Sequence, residues 1–339
     1  MRIQTGRRFG LLAMILGLLP WAGCGSQQPG NWDGPKVLST SSVDTWQFKG
    51  KPGWKLSTTH YAIYTTIEED DLRMTLPQVM EGAFTQYRLI TPAVRVSDKP
   101  MDCFIFNGRQ EFNEYTKENA GNAAGVYLAI RRGGYAMKDR YVSYNLGLNA
   151  TASIAAHEGW HQFASRNFIG RLPPFLEEGL ATTFEGVTFT DRLPRWNPAI
   201  NPTRAQALRR TIEEKHLWPL EQLIRTHAGE VVNRGGDAID AFYSQSWAFA
   251  KFMREADGGK YAPALRLWLA ETAAGTVYDP SHSHSRAGLP WNPAGVKPML
   301  EHYLGMGLPE IEKAYLLYIH RVVYEEYPKQ WNLSGWNGN

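Results

Sequence analysis

Two histidines four residues apart, His157 and His161 in the segment HEGWH, constrain this chain more than any other feature. Residues at that spacing share one face of an α-helix, so the pair converges only if the stretch is helical. Ile154, Ala155 and Ala156 lead into the motif, and Thr151 or Ser153 offers a side-chain cap ahead of it. Gly159 stands inside the helix and costs roughly 1 kcal/mol relative to Ala. On such a helix the two imidazoles can point at one metal ion, and Glu158 can reach a water on that ion. The plainer alternative is a helix whose two histidines are merely exposed or satisfied.

A catalytic zinc takes three protein ligands and leaves one position open. HEGWH supplies two. Beyond Pro173-Pro174 comes FLEEGLATTFEG, where Glu178 precedes Gly179 and a helical run. Taken together, residues 150–186 resemble the gluzincin metallopeptidases. Phe175, Leu176, Glu178, Gly179 and Ala181 match, in order, that group's second motif, an aromatic-Leu-x-Glu-Gly-x-Ala run. Within the group, the chain is most similar to the peptidase-MA-like family of exported proteins. The resemblance implies one Zn2+ ion held by His157, His161 and Glu178, with Glu158 as general base. Glu177 competes for the third position but points about 100° around the helix from Glu178. Gly179 favours Glu178. In the aminopeptidase branch a tyrosine stabilises the oxyanion, and AFYSQSWAFAKFM offers Tyr243 with Ser246 at the pattern's glycine position. A packing role is the competing account of Tyr243. The Gly-Ala-Met-Glu-Asn motif of aminopeptidases is absent, which disfavours reading of a substrate's free amino terminus.

The remaining chain reads as an α+β protein. His60–Ile67, Met101–Asn107, Gly125–Ile130 and Tyr141–Tyr144 are strand-like, and Glu69–Ile90 and Glu111–Ala120 are helical. Helical periodicity then covers Thr151–Phe168, Ala205–Thr226, Ala238–Glu255, Ala262–Thr272 and Pro309–Tyr324. The expected architecture is a small N-terminal mixed-sheet lobe, 56–148, packed on a mainly helical C-terminal lobe, 149–328. The resemblance makes it zincin-like, with the active-site cleft between the lobes. Residues 125–130 are then expected to offer a strand edge to an extended peptide. Residues 24–55, rich in Gly, Ser, Pro and Gln, read as a tether, and 329–339 as a tail. His282 and His284 fall in a polar loop and read as solvated. So do Arg131-Arg132 and Arg209-Arg210, while the scattered tryptophans read as packing residues.

Residues 1–23 carry Arg2, Arg7 and Arg8, then the short apolar run LLAMILGLL, then small residues before Cys24. This is the build of an export signal, and the run is too short to span a membrane as a helix. The Ala22-Gly23-Cys24 ending resembles a bacterial lipoprotein signal, although Trp21 departs from it. It implies a lipid anchor at Cys24 and a place in the cell envelope, facing the periplasm or the cell surface. Ordinary cleavage nearby is the alternative, and Arg7-Arg8 is a weak hint of twin-arginine export. Removing the signal takes the net charge from +3 to zero, so no basic surplus remains to collect phosphates and nucleic-acid binding is disfavoured. Cys103, left alone, reads as a buried thiol.

The expectation is therefore a zinc-dependent peptidase acting on peptide or protein substrates. The alternative is a gluzincin-like scaffold kept as a weakly catalytic peptide-binding or envelope-assembly lipoprotein. A purely structural zinc is disfavoured, because such sites are closed by four protein ligands, usually including Cys.

Overall fold

The computed structural model describes residues 42–130, 132–137, 139–190 and 193–327. The export signal, Cys24, the first part of the tether, Arg131 and the C-terminal tail lie outside the described residues. The fold is mixed α/β, with a six-stranded mixed sheet in the N-terminal half and mainly helices beyond it.

The chain opens with β1 (Ser42–Phe48), β2 (Lys51–Ser57), β3 (Tyr61–Thr65) and α1 (Asp70–Ile90). Then come β4 (Met101–Phe106), α2 (Arg109–Asn119), α3 (Ala124–Leu128), β5 (Tyr135–Met137) and β6 (Arg140–Tyr144). The strand order is β1-β2-β3-β4-β6-β5, with β4 parallel to both its neighbours and the other pairs antiparallel. The helical half runs through α4 (Leu148–Asn167), α5 (Pro174–Thr183), the β7 (Val187–Thr190) and β8 (Leu193–Trp196) hairpin, α6 (Pro202–Glu213), α7 (Leu220–Ile224) and α8 (Ala228–Arg234). It closes with α9 (Gly236–Gly259), α10 (Ala262–Ala274), α11 (Val296–Leu304) and α12 (Leu308–Arg321). No helix among the described residues is long and apolar enough to cross a membrane.

Three expectations need correction. Residues 42–55 are not tether: they form β1 and most of β2, so the sheet-bearing lobe starts 14 residues before the expected boundary at 56. The strands are joined by Lys49-Gly50, both at positive φ (50° and 81°), the geometry of a two-residue hairpin turn whose hand matches strand twist. Residues 125–130 are not a strand. They fall on α3 and its C-terminal end, and the sheet edge belongs instead to β5. The helix expected over 205–226 breaks into α6 and α7, because Lys215 adopts φ 62° and Pro219 caps the second piece.

One hydrophobic core runs from Leu56 on β2 through α1, α4, α5 and α9 to Tyr327. A smaller cluster lies under α2 and α3 on the opposite face of the sheet, around Phe106, Phe112 and Tyr144. Trp160, Trp196, Trp247 and Trp268 are fully buried, consistent with tryptophans used for packing. Cys103 is buried too, and burial pushes its thiol pKa up.

Helices α5 and α9 cross at very short range. A Cβ on Gly179 would stand 2.2 Å from the Ser246 carbonyl oxygen and 3.2 Å from the Ala250 Cβ. Glycine is required here by close approach of two backbones, since a carbonyl cannot swing aside as a side-chain tip can. Gly179→Ala should therefore destabilise the fold by about 1–3 kcal/mol, the range for overpacking a tight contact. Urea unfolding checks this, and an unchanged midpoint would mean that the helices separate freely.

Candidate metal centre

The HEGWH segment lies in the middle of α4, which packs against α1 and the sheet. Neither expected cap operates. The helix starts at Leu148 after Gly147 (φ 87°), the Thr151 hydroxyl accepts from the Leu146 N–H, and Ser153 donates to the Glu185 carbonyl. Gly159 has a packing reason. A Cβ there would meet the Tyr87 hydroxyl at 2.6 Å, and that hydroxyl donates to the Ala156 carbonyl at 2.5 Å. The glycine lets α1 press its tyrosine onto the α4 backbone beside the two histidines.

The imidazoles do converge. His157 Nε2 and His161 Nε2 lie 3.4 Å apart, and Glu178 Oε2, on the first turns of α5, stands 3.4 Å from one and 3.5 Å from the other. Both histidines are oriented from behind. His157 Nδ1 is 2.9 Å from Glu185 Oε1, and His161 Nδ1 is 3.1 Å from Glu177 Oε1. Each Nδ1–H thus has a carboxylate to donate to, which leaves both Nε2 lone pairs facing Glu178 Oε2. That carboxylate oxygen is buried and lacks a hydrogen-bond partner.

Three electron-pair donors that converge on one point, with nothing to donate to them, repel unless a cation or protons intervene. Their spacing decides between these. Bonds of about 2.0–2.1 Å in a tetrahedral arrangement separate neighbouring donors by about 3.3 Å, close to the distances found. The two-imidazole, one-carboxylate set therefore fits a small divalent cation with one position left open. The local field favours positive charge at this point. Burial opposes protonation of His157, yet Glu178 and Glu185 overcome it and raise its pKa to about 9. His161 is likewise raised against burial by Glu178 and Glu177. Glu178 is held well below the usual carboxylate range, against burial, by the same two imidazoles.

Glu158, next to His157, stands outside the triangle. Its carboxyl lies near the Ala136 N–H of edge strand β5, and burial raises its pKa against the pull of His157 and His161. Glu177 takes the supporting place behind His161 and not the third corner of the triangle. Tyr243 lies in the second turn of α9, its ring packed on the core and 5.2 Å from the Arg204 guanidinium. Burial raises its pKa, and the charges of Glu178 and Glu158 reach it.

The surprises lie nearby. Glu185 was not singled out in the sequence, although it closes the motif segment as the acid of Phe-Glu-Gly. It holds His157 and is itself held by Arg204 through two bonds, Nε to Oε2 at 2.9 Å and Nη2 to Oε1 at 2.6 Å. The Asn201 amide adds a third at 2.9 Å and also caps α6. His282 and His284 take no part in the ligand cluster, and His284 is buried, not solvated, with Nδ1 3.3 Å from the Arg171 carbonyl. Arg209 is not solvent-facing either, since it donates to the Val323 and Tyr327 carbonyls.

No protein-family model matches the chain, and no curated protein matches it.

The Glu185 carboxyl is held down to about 2, because Arg204 and His157 outweigh the burial that opposes its charge. A group depressed from 4.5 to about 2 adds stability that is complete above pH 4.5 and is lost as the pH falls toward 2. Glu185→Ala, measured by urea unfolding of the metal-free protein, should cost about 2 kcal/mol at neutral pH, because it strands a partly buried guanidinium. The variant should also lose the part of the acid-side decline that belongs to this group. An unaltered pH profile would remove Glu185 from the account of stability.

Proposed function

We propose that the chain is a zinc-dependent peptidase of the gluzincin type, with the reacting peptide lying between the sheet and the helical half. The observation that carries this reading is the triangle of His157 Nε2, His161 Nε2 and Glu178 Oε2, spaced 3.4–3.5 Å, beside a carboxylate that belongs to neither ligand nor support. A structural zinc would have its fourth corner closed by protein, and no fourth ligand joins the cluster among the described residues.

When bound, the zinc ion supplies a Lewis acid that lowers the pKa of a water toward about 7 and polarises a peptide carbonyl. Glu158 takes the proton of the attacking water and hands it to the leaving amine. Tyr243 donates its hydroxyl to the carbonyl oxygen as negative charge builds there. Edge strand β5, which passes close to Glu158, offers the line along which an extended peptide would be held. The leader ending at Cys24 supports a lipid-anchored protein of the cell envelope.

The purified protein should hold about one zinc per chain, as a two-His, one-carboxylate site requires. Elemental analysis should find the metal lost in His157→Ala, His161→Ala and Glu178→Ala and largely kept in Glu177→Ala. Full occupancy in His161→Ala would sink the site.

The chemistry has its own test. Glu158→Gln should keep its zinc yet lose at least about 10²-fold in turnover, because an amide cannot accept the proton. The assay is cleavage of a peptide library with zinc measured on the same samples. A wild type that binds peptides without cutting any would favour a binding module.

A further inference from the structure

We infer that Arg204 is a positioning residue that sets both the metal ligand His157 and the proposed oxyanion donor Tyr243, so that the two are coupled through one guanidinium. The inference rests on the peptidase reading for the role of Tyr243, but its geometry does not.

The Arg204 fork grips both oxygens of Glu185, at 2.6 and 2.9 Å, and Glu185 Oε1 is the atom that receives His157 Nδ1. A bidentate pair fixes the plane of the carboxylate, and the plane of the carboxylate fixes the rotation of the imidazole. The same guanidinium lies 5.2 Å from the centre of the Tyr243 ring, within the reach of a cation–π contact. Arg204 is itself anchored. Its backbone N–H is bound by Asn201 Oδ1, and the Asn201 amide bonds both Glu185 Oε2 and the Thr182 carbonyl of α5. The start of α6 therefore registers α4, α5 and α9 against one another at this point. Lysine would keep the charge but not the fork, and methionine would keep the bulk but neither.

The test compares wild type, Arg204→Lys and Arg204→Met in the full-length protein, with circular dichroism and urea unfolding establishing that each is folded. Zinc affinity is read by chelator competition. It should weaken about 10–100-fold in Arg204→Met, the usual range for a lost outer partner of a ligand, and less in Arg204→Lys. Tyr243 is read separately by fluorotyrosine labelling, its resonance assigned by its absence from Tyr243→Phe. That resonance should shift in both variants, since each removes the planar cation from the ring. At saturating zinc, kcat should fall with little change in KM, and most of that fall should vanish in a Tyr243→Phe background. If Arg204→Met does not fold, Arg204→Lys decides by the same readings. Unchanged zinc affinity, or an unmoved Tyr243 resonance, in a folded variant overturns the inference. A wild type that binds zinc but cleaves nothing removes the peptidase reading and leaves these two readings to decide the coupling. A wild type that takes up no zinc overturns both.

Discussion

The meeting of two imidazole lone pairs and one carboxylate oxygen at 3.4–3.5 Å is the constraint around which this part of the molecule is arranged. Such a cluster does not assemble by itself. Every group in it is more comfortable in water than next to its neighbours, and burying it requires compensation elsewhere. The chain supplies that compensation in layers. Glu185 and Glu177 accept from the far sides of the imidazoles, Arg204 and Asn201 hold Glu185, and Tyr87 bonds the α4 backbone at Ala156, just before His157. The negative potential built in this way raises both histidines and makes the point of convergence attractive to a cation.

That arrangement explains the glycines better than helix propensity does. Gly159 and Gly179 both lie inside helices, where glycine is unfavourable. Gly159 admits Tyr87 to the backbone midway between His157 and His161, and Gly179 brings α5 onto the Ser246 carbonyl of α9. The second contact bears directly on the site, because Glu178 is the residue before the crossing and Tyr243 is three residues before Ser246. Close helix packing holds a ligand and the tyrosine in register more rigidly than the side chains could do for themselves.

What could be read from the sequence depended on how local the physics was. The four-residue spacing of His157 and His161 and the long apolar periodicities of α1, α4 and α9 are properties of single helices, and they were legible. Glu178 could be separated from Glu177 by its neighbours, and the structure gives the two acids different places. The first hairpin was missed because it follows directly on a stretch rich in Gly, Pro, Ser and Gln that marks a linker, and because Lys49 occupies a turn position more typical of Asn. Residues 125–130 are apolar and short, a pattern that fits a strand or a buried helical turn equally well. In the fold they form a short helix beside α2, with Tyr127 stacked on Tyr135 at 4.0 Å. Glu185 and Arg204 were not legible at all. They are 19 residues apart, and only the β7–β8 excursion returns the chain to make them neighbours.

Glu158 carries the same lesson into the chemistry. A carboxylate next to two imidazoles would ordinarily be held down as a weak base. Here burial works against its charge and wins, although the Ala136 N–H on β5 and both imidazoles pull the other way. The outcome depends on the sheet: β5 must end beside α4 for that N–H to be available, and β5 is held by its antiparallel pairing of Ala136 with Tyr141 on β6. The N-terminal half thus does more than cover the helices. Under the proposed reading it supplies the edge along which a peptide would lie and tunes the acid that would act on it, and the helical half supplies the ligands. The covalent continuity of β6 into α4 across Asn145–Gly147 ties the two roles together, and there the Asn145 side chain accepts from the Gly147 N–H at 2.8 Å.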